Sequence, residues 1–261
     1  MTANRKPTVA FFDFACCEGC QLTVLELEEE LFDILEHVEL VAWREAMSGE
    51  AETYDIAFCE GGITRERDIE RIKRIRSSSG ILVALGTCAG IGCHNDLRNR
   101  LSSSEVVEEV YGPEMHLDII PVRPISAVVK VDYHVYGCPA SRGEFVTVLK
   151  HILTTKPYSP PNQPVCVECK LNDSLCVCEK GMVCLGPVTR CGCNAICTQY
   201  GDPCHGCRGL MDEANTEGMT RALTAEKHHS IMSRISEMHH LNPDDIREEL
   251  ALYNNLPETK R

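Results

Sequence analysis

Residues 8–20 read TVAFFDFACCEGC, an apolar run followed at once by a Cys-x-x-Cys motif. The run Thr8–Asp13 has the length and composition of a strand that is covered on both faces of a sheet. Four later runs are of the same kind: Val38–Ala42, Tyr54–Cys59, Ile81–Leu85 and Val131–Tyr136. The sequence therefore predicts five buried strands, the first of which leads directly into Cys17 and Cys20.

Helical patterns separate these strands. The segment Leu22–Leu35 carries an apolar stripe with glutamates on its other side, and Arg65–Arg76 is a charged helix with a line of isoleucines. The first stripe is Val24, Leu27, Leu31 and Ile34, and the second line is Ile69, Ile72 and Ile75. Alternation of strands and helices predicts an α/β fold with a flavodoxin-like, doubly wound parallel sheet.

The second half of the chain is organised differently. Lys156–Pro164 has four prolines in nine residues and reads as a linker. Val165–Gly209 holds ten cysteines without hydrophobic periodicity, so it is expected to show little regular structure and to fold around something other than an apolar core. A helical tail follows, with helix starts predicted at Thr220 and at Asn242–Asp245. The predicted domains are 1–156, 157–210 and 211–261.

Composition excludes several function classes. The net charge of −13 argues against binding to nucleic acid or to anionic membranes, since both require a basic surface. From the pattern of the first residues we expect no secretory leader, and no apolar stretch is long enough to span a membrane. We therefore expect a reduced, cytoplasmic protein, in which 17 cysteines indicate metal ligands rather than disulfides.

Four cysteines fall at the ends of predicted strands. Cys17 and Cys20 follow the first strand, Cys88 follows Ile81–Leu85, and Cys138 follows Val131–Tyr136. Loops at the carboxyl ends of parallel strands meet at one rim, where ligands of such sheets bind. Four thiolates are the ligand set of a 4Fe–4S cluster, and neighbouring glycines allow the backbone to approach its sulfides. Single cysteines in such places would more simply be core residues, as we predict for Cys59.

The cysteine-rich segment contains two more sets of four. One is Cys166, Cys169, Cys176 and Cys184, and the other is Cys193, Cys197, Cys204 and Cys207. Paired Cys-x-x-Cys motifs are typical of iron–sulfur clusters and also of zinc ribbons. Two zinc sites would use eight thiolates as well, so the count leaves both metals open.

The cysteine motifs together carry a family resemblance. The motifs are CEGC at 17–20, EGGI at 60–63, GTCAG at 86–90, VDYHVYGCP at 131–139 and the cysteine-rich run at 164–209. In this order and spacing they are similar to the small subunit of cytosolic nickel–iron hydrogenases. The chain resembles in particular the delta subunit of sulfhydrogenases and the small subunit of the methyl-viologen-reducing (F420-non-reducing) hydrogenases. The resemblance extends from Val9 to about Gly209.

The resemblance implies an electron-transfer subunit with three 4Fe–4S clusters and no catalytic residue of its own. It implies a proximal cluster on Cys17, Cys20, Cys88 and Cys138, a medial cluster on Cys193, Cys197, Cys204 and Cys207, and a distal cluster on Cys166, Cys169, Cys176 and Cys184. It also implies a nickel–iron large subunit as partner. Electrons would leave to a further acceptor subunit, which the sequence does not choose among a flavoprotein, a ferredoxin-like protein and a heterodisulfide-reductase-linked protein.

Several residues keep two interpretations. Cys178 lies two residues from Cys176, and we choose Cys176 as the distal ligand because it keeps the family spacing from both Cys169 and Cys184. Cys16, Cys93 and Cys191 are expected to be spare thiols. Glu60 either caps a helix or supports the rim as an outer group. The histidines of the tail are expected to lie on a solvated helix face: His228, His229, His239 and His240.

Two other functions remain open from the sequence. A quinone-reductase subunit related to respiratory complex I would share the fold, but it leaves the cysteines after Pro164 without a task. A zinc-stabilised scaffold that only joins partners would use the same Cys-x-x-Cys pairs. Zinc thiolate sites are colourless, whereas iron–sulfur clusters are brown, so metal analysis separates the two.

Overall fold

The computed structural model describes residues 5–49 and 51–219 of the chain. The chain divides into two compact units, Met1–Tyr158 and Ser159–Arg261. The predicted tail helices at Thr220 and Asn242–Asp245, and the four tail histidines, lie outside the described residues.

The first unit is built on a five-stranded parallel sheet. Its strands are β1 (Thr8–Asp13), β2 (Glu39–Trp43), β3 (Tyr54–Glu60), β4 (Ser79–Leu85) and β5 (Tyr133–Val135). Their order is β2-β1-β3-β4-β5, and every neighbouring pair is parallel. This order is that of flavodoxin-like folds and reverses direction between β1 and β3. The predicted fold class and all five predicted strands are confirmed.

Helices cover both faces of the sheet. They are α1 (Gly19–Leu25), α2 (Glu29–His37), α3 (Glu66–Ser78), α4 (Gly86–Ile91), α5 (Ser103–Tyr111) and α6 (Arg142–Leu153), with short 3-10 turns at Cys93–Arg100 and Ile125–Ala127. Alternate strand residues point to opposite cores. Phe11 and Phe58 lie in the core with α6, whereas Ala57 and Cys59 lie in the core with α3. Cys59 is fully buried, as predicted.

The prediction of one helix over Leu22–Leu35 was wrong, because the segment forms two helices. The chain breaks at Glu28, whose φ of 52° and ψ of −114° no helix can contain. The apolar stripe is still buried, since Val24 and Leu27 belong to the core and Leu31 and Ile34 pack against it. Glutamate is a good helix former, so the run of glutamates gave no local signal for the break.

The described part of the second unit has little regular structure, as predicted. After the extended linker it contains the short helices α7 (Val165–Leu171) and α8 (Ile196–Gln199) and one 3-10 turn at Val177–Lys180. Two of the cysteines predicted as ligands belong to its small core, which is formed by Val165, Val177, Cys184, Ala195 and Cys204. No helix within the described ranges is both long and apolar enough to cross a membrane.

Candidate functional site

The four rim cysteines follow strands β1, β4 and β5 in the structure. Cys17 and Cys20 lie at the start of α1, Cys88 lies in α4 directly after β4, and Cys138 lies in the turn after β5. The backbone N–H of Thr87 donates to the carbonyl of Gly137 at 2.9 Å and joins the last two loops. The N–H of Ala140 points at Cys20 Sγ at 3.4 Å, so the first and last loops also meet.

Two glycines make room for these sulfurs. A Cβ atom on Gly86 would overlap Cys20 Sγ, and Gly86 has a φ of +81°. A Cβ on Gly19 would lie 3.3 Å from Cys17 Sγ. A side chain at Gly86 would therefore collide with the sulfur of Cys20 and strain the backbone. The glycines beside the cysteines are the feature expected where backbone approaches a bulky inorganic group.

Glu60 binds the backbone of the segment that carries Cys20. Its Oε1 accepts the backbone N–H of Cys20, and its Oε2 accepts that of Gln21, each at 3.1 Å. Glu60 ends β3 and is only 2% exposed. Burial raises the pKa of this carboxyl, although both N–H donors oppose the shift. Glu60 therefore caps the N-terminus of α1 and fixes the backbone of Cys20, and its predicted role as an outer group of the rim stays a prediction.

Cys20 and Cys138 are not activated nucleophiles. Burial, and next the charge of Glu60, raises the pKa of Cys20 well above its usual range. A hydrogen bond with Cys93, followed by burial, raises the pKa of Cys138. Such thiols ionise only when a strong positive charge is close, and a metal centre supplies that charge. The chemistry of this donor set therefore fits a metal cluster better than free thiolate catalysis.

Cys93 has a contact that the sequence did not suggest. Cys93 is 4% exposed, and its own backbone has a φ of 53°. Its thiol makes the hydrogen bond with Cys138, although the two residues are far apart in sequence. In the sequence, Cys93 is marked only by its nearness to Cys88, and this nearness does not predict a contact with Cys138.

Two members of the first set in the cysteine-rich unit, Cys166 and Cys184, lie beside Gly186. A Cβ on this glycine would lie 3.3 Å from Cys166 Sγ and 3.4 Å from Cys184 Sγ. Burial, and then the charges of Cys184, Cys169 and Cys176, raises the pKa of Cys166 to about 11. Cys166 therefore lies within electrostatic range of the three other predicted members of this set.

Cys178 lies in the same group. Burial, and then the charges of Cys184 and Cys176, raises the pKa of Cys178 to about 12. Cys178 also shares a hydrogen bond with Cys176. Both thiols are therefore near the first set, and the choice of Cys176 stays a prediction.

In the second predicted set, burial raises the pKa of three cysteines, and the further causes differ among them. Burial raises the pKa of Cys193 and that of Cys204, and Cys207 adds to both shifts through its charge. Burial also raises the pKa of Cys197, to which the charge of Asp202 contributes. The N–H of Cys204 points at Cys184 Sγ at 3.3 Å, so the two sets adjoin.

Glu168 and Arg208 were missed by sequence analysis. Glu168 accepts the backbone N–H groups of Gly192 at 2.8 Å and Ala195 at 3.2 Å, and its carboxylate lies 3.9 Å from Cys193 Sγ. Arg208 is fully buried and donates from Nε to the carbonyl of Cys191 at 2.8 Å. Both side chains hold the loop that carries Cys193. Glu168 lies within a Cys-x-Glu-Cys motif, and Arg208 directly follows Cys207. These neighbouring cysteines were the only sequence signal that either side chain supports the site.

Within the described ranges, no three Cys, His, Asp or Glu side chains converge as ligands of a single metal ion would. A four-iron cluster places different demands on its ligands, because each thiolate binds a different iron.

Comparison with known proteins identifies relatives. The family described as "NADH ubiquinone oxidoreductase, 20 Kd subunit" matches residues 17–152. The chain is 37% identical to sulfhydrogenase 2 subunit delta of Pyrococcus furiosus, over 81% of this chain and 90% of that protein. It is 31% identical to a subunit of the vhu F420-non-reducing hydrogenase of Methanococcus voltae, over 80% and 84% of the two chains.

A solved structure gives the same answer. A chain of an NAD+-reducing [NiFe]-hydrogenase in the H2-reduced state is 27% identical, with a TM-score of 0.54. The match covers 60% of this chain and 96% of that one. The protein described here therefore belongs to the NADH ubiquinone oxidoreductase 20 kDa subunit family, and within it to the hydrogenase subunits related to sulfhydrogenase delta.

Proposed function

We propose that this hydrogenase subunit carries electrons through three 4Fe–4S clusters between a catalytic partner and an acceptor. The observation that carries the proposal is the arrangement of twelve cysteines in three sets of four, one at the sheet rim and two in the cysteine-rich unit. When bound, a 4Fe–4S cluster takes up and releases single electrons at a potential that its surroundings set. The work of the chain is to bind, orient and shield such clusters.

In this proposal each set has its own supporting residues. The proximal ligands are Cys17, Cys20, Cys88 and Cys138, and Glu60 orients Cys20 among them. The medial ligands are Cys193, Cys197, Cys204 and Cys207, and Glu168 orients the loop of Cys193. The distal ligands are Cys166, Cys169, Cys176 and Cys184, and Gly186 leaves space between two of them. N–H donors aimed at sulfur, such as that of Ala140, would raise a cluster's potential.

The proposed partners follow from the relatives. The solved relative is named as a nickel–iron enzyme that reduces NAD+, and other relatives are named as sulfhydrogenase or F420-non-reducing hydrogenase subunits. We infer a nickel–iron large subunit that splits hydrogen on its own metal site. The relatives' names differ in the acceptor, so a separate flavoprotein, ferredoxin-like or heterodisulfide-reductase-linked subunit would take the electrons in the cytoplasm.

Metal analysis tests this proposal directly. Protein purified under anaerobic conditions should hold about twelve irons per chain with matching sulfide, because each set of four thiolates completes one cubane cluster. Iron, acid-labile sulfide and zinc would be measured on the same sample. About four irons per chain would favour the quinone-reductase alternative, and stoichiometric zinc would favour the scaffold.

A matched pair of substitutions tests the choice of distal ligand. Cys176→Ser should convert or weaken the distal cluster, because it removes a thiolate from iron, whereas Cys178→Ser should leave that cluster intact. Electron paramagnetic resonance of the reduced protein measures both effects. The opposite result would show that Cys178 is the ligand, since the two thiols lie in the same group of cysteines.

A further inference from the structure

A cleft of about 460 Å³ opens beside β1 in the first unit. It lies at the carboxyl ends of β1 and β3, where Asp13 ends β1, Phe14 follows it, and Thr64 comes after β3. Its most frequent residue is arginine. We call it the arginine cleft after the five arginines that line it: Arg44, Arg65, Arg67, Arg71 and Arg74.

Two of these arginines are neutralised within the protein. Arg44 lies 3.4 Å from Asp13 and also forms ion pairs with Glu18 and Glu45. Arg71 lies 3.9 Å from Asp13, and its guanidinium sits over the ring of Phe14 at 4.9 Å. These contacts hold the side chains of Arg44 and Arg71 against Asp13 and Phe14 in the lining of the arginine cleft.

The other three arginines are not neutralised. Arg65, Arg67 and Arg74 are exposed, and within residues 5–49 and 51–219 none of them forms an ion pair with a carboxylate. The remaining carboxylate of the lining, Asp68, accepts two hydrogen bonds from Thr64, at 3.4 Å each. The three arginines that form no ion pair outnumber this one carboxylate, so the concave surface keeps a net positive charge of two from these four side chains.

Helix periodicity explains why these charges are together. Arg67, Arg71 and Arg74 follow one another at spacings of four and three, so they lie on one face of α3. Ile72 and Ile75 hold the helix to the sheet on the buried side. The arrangement is a consequence of how α3 packs, and it concentrates positive charge in a chain whose net charge is −13.

We propose that the arginine cleft binds a small anion that bears phosphate. Guanidinium groups present paired donors that match phosphate oxygens, and several of them together outweigh the two aspartates. The volume is that of a small-molecule site rather than of a flat protein interface. Open parallel sheets bind such ligands where the strand order reverses, and here that point lies between β1 and β3. The proposal is independent of the clusters.

Binding of pyrophosphate to the full chain tests this proposal. Isothermal titration calorimetry at low ionic strength should show one saturable site, which weakens as salt is added. The double variant Arg67→Gln/Arg74→Gln should bind at least about tenfold more weakly, because each guanidinium contributes charge-assisted hydrogen bonds. Both side chains are exposed, so the fold should not change, and circular dichroism would verify this.

Lys73→Gln is the matched control, since it removes one positive charge from the same helix outside the cleft lining. It should leave pyrophosphate affinity unchanged. Absence of saturable binding, or an equal loss in the Lys73 variant, would overturn the proposal. A glutamate-rich peptide that displaces pyrophosphate at equal concentration would also overturn it, because the surface would then be a docking site for acidic protein segments.

Discussion

Replacement of Cys166 by alanine is expected to reduce hydrogen-dependent reduction of the physiological acceptor to background. The proposed relay places Cys166 in the outermost cluster, so its loss interrupts electron export. Hydrogen–deuterium exchange needs only the partner's nickel–iron site and its proton path, and it should largely persist. Both activities would be measured on the purified complex, with the large subunit shown to be bound.

Cys17→Ala provides the contrast. Cys17 belongs to the cluster proposed to lie nearest the partner, and metal binding there also supports the local fold. This variant should disturb acceptor reduction and exchange together. Equal loss of both activities in the Cys166 variant, with the large subunit still bound, would contradict a serial relay. Absence of exchange even in the unaltered complex would favour a quinone-reductase-like subunit.

Phe58→Ala is expected to destabilise the first unit by about 3–5 kcal/mol, since truncation of a buried aromatic ring leaves a cavity. Phe58 is fully buried in the middle strand β3. Its ring stacks on Phe11 at 4.9 Å and tilts against Phe145 at 5.1 Å. Denaturant unfolding measures the change, with fluorescence of the single tryptophan, Trp43, as the probe. Trp43 is suited to this because it is buried and stacks on Phe11 at 4.2 Å.

Phe32→Ala is the matched control, because the same change is made at a side chain that is 71% exposed on α2. Its effect should stay within about 0.5 kcal/mol. A similar loss of stability in both variants would mean that the Phe11–Phe58–Phe145 contacts do not support the sheet.

Local pattern was sufficient for the strands and for the positions of the cysteines. A short apolar run such as Thr8–Asp13 is recognisable by its length and composition. The existence of each strand could therefore be predicted without knowledge of the fold. Strand–helix alternation then placed Cys20, Cys88 and Cys138 at one rim, because the carboxyl ends of parallel strands share an edge. Strand ends differed by one or two residues, as at β5 (Tyr133–Val135), since pairing with a neighbour decides where a strand stops.

The contacts that shape the site were decided by tertiary structure. Glu60 meets the N–H of Cys20 across 40 residues, and Glu168 meets the loop of Cys193 across 25. The bond between Cys93 and Cys138, and the meeting of Arg44 with α3 in the arginine cleft, are of the same kind. The sequence alone was enough to predict the five strands and the available thiols, but not the break at Glu28 that divides one predicted helix into two. Which polar group reaches which loop was settled only when the helices packed on the sheet, because such contacts depend on distances that no local pattern records.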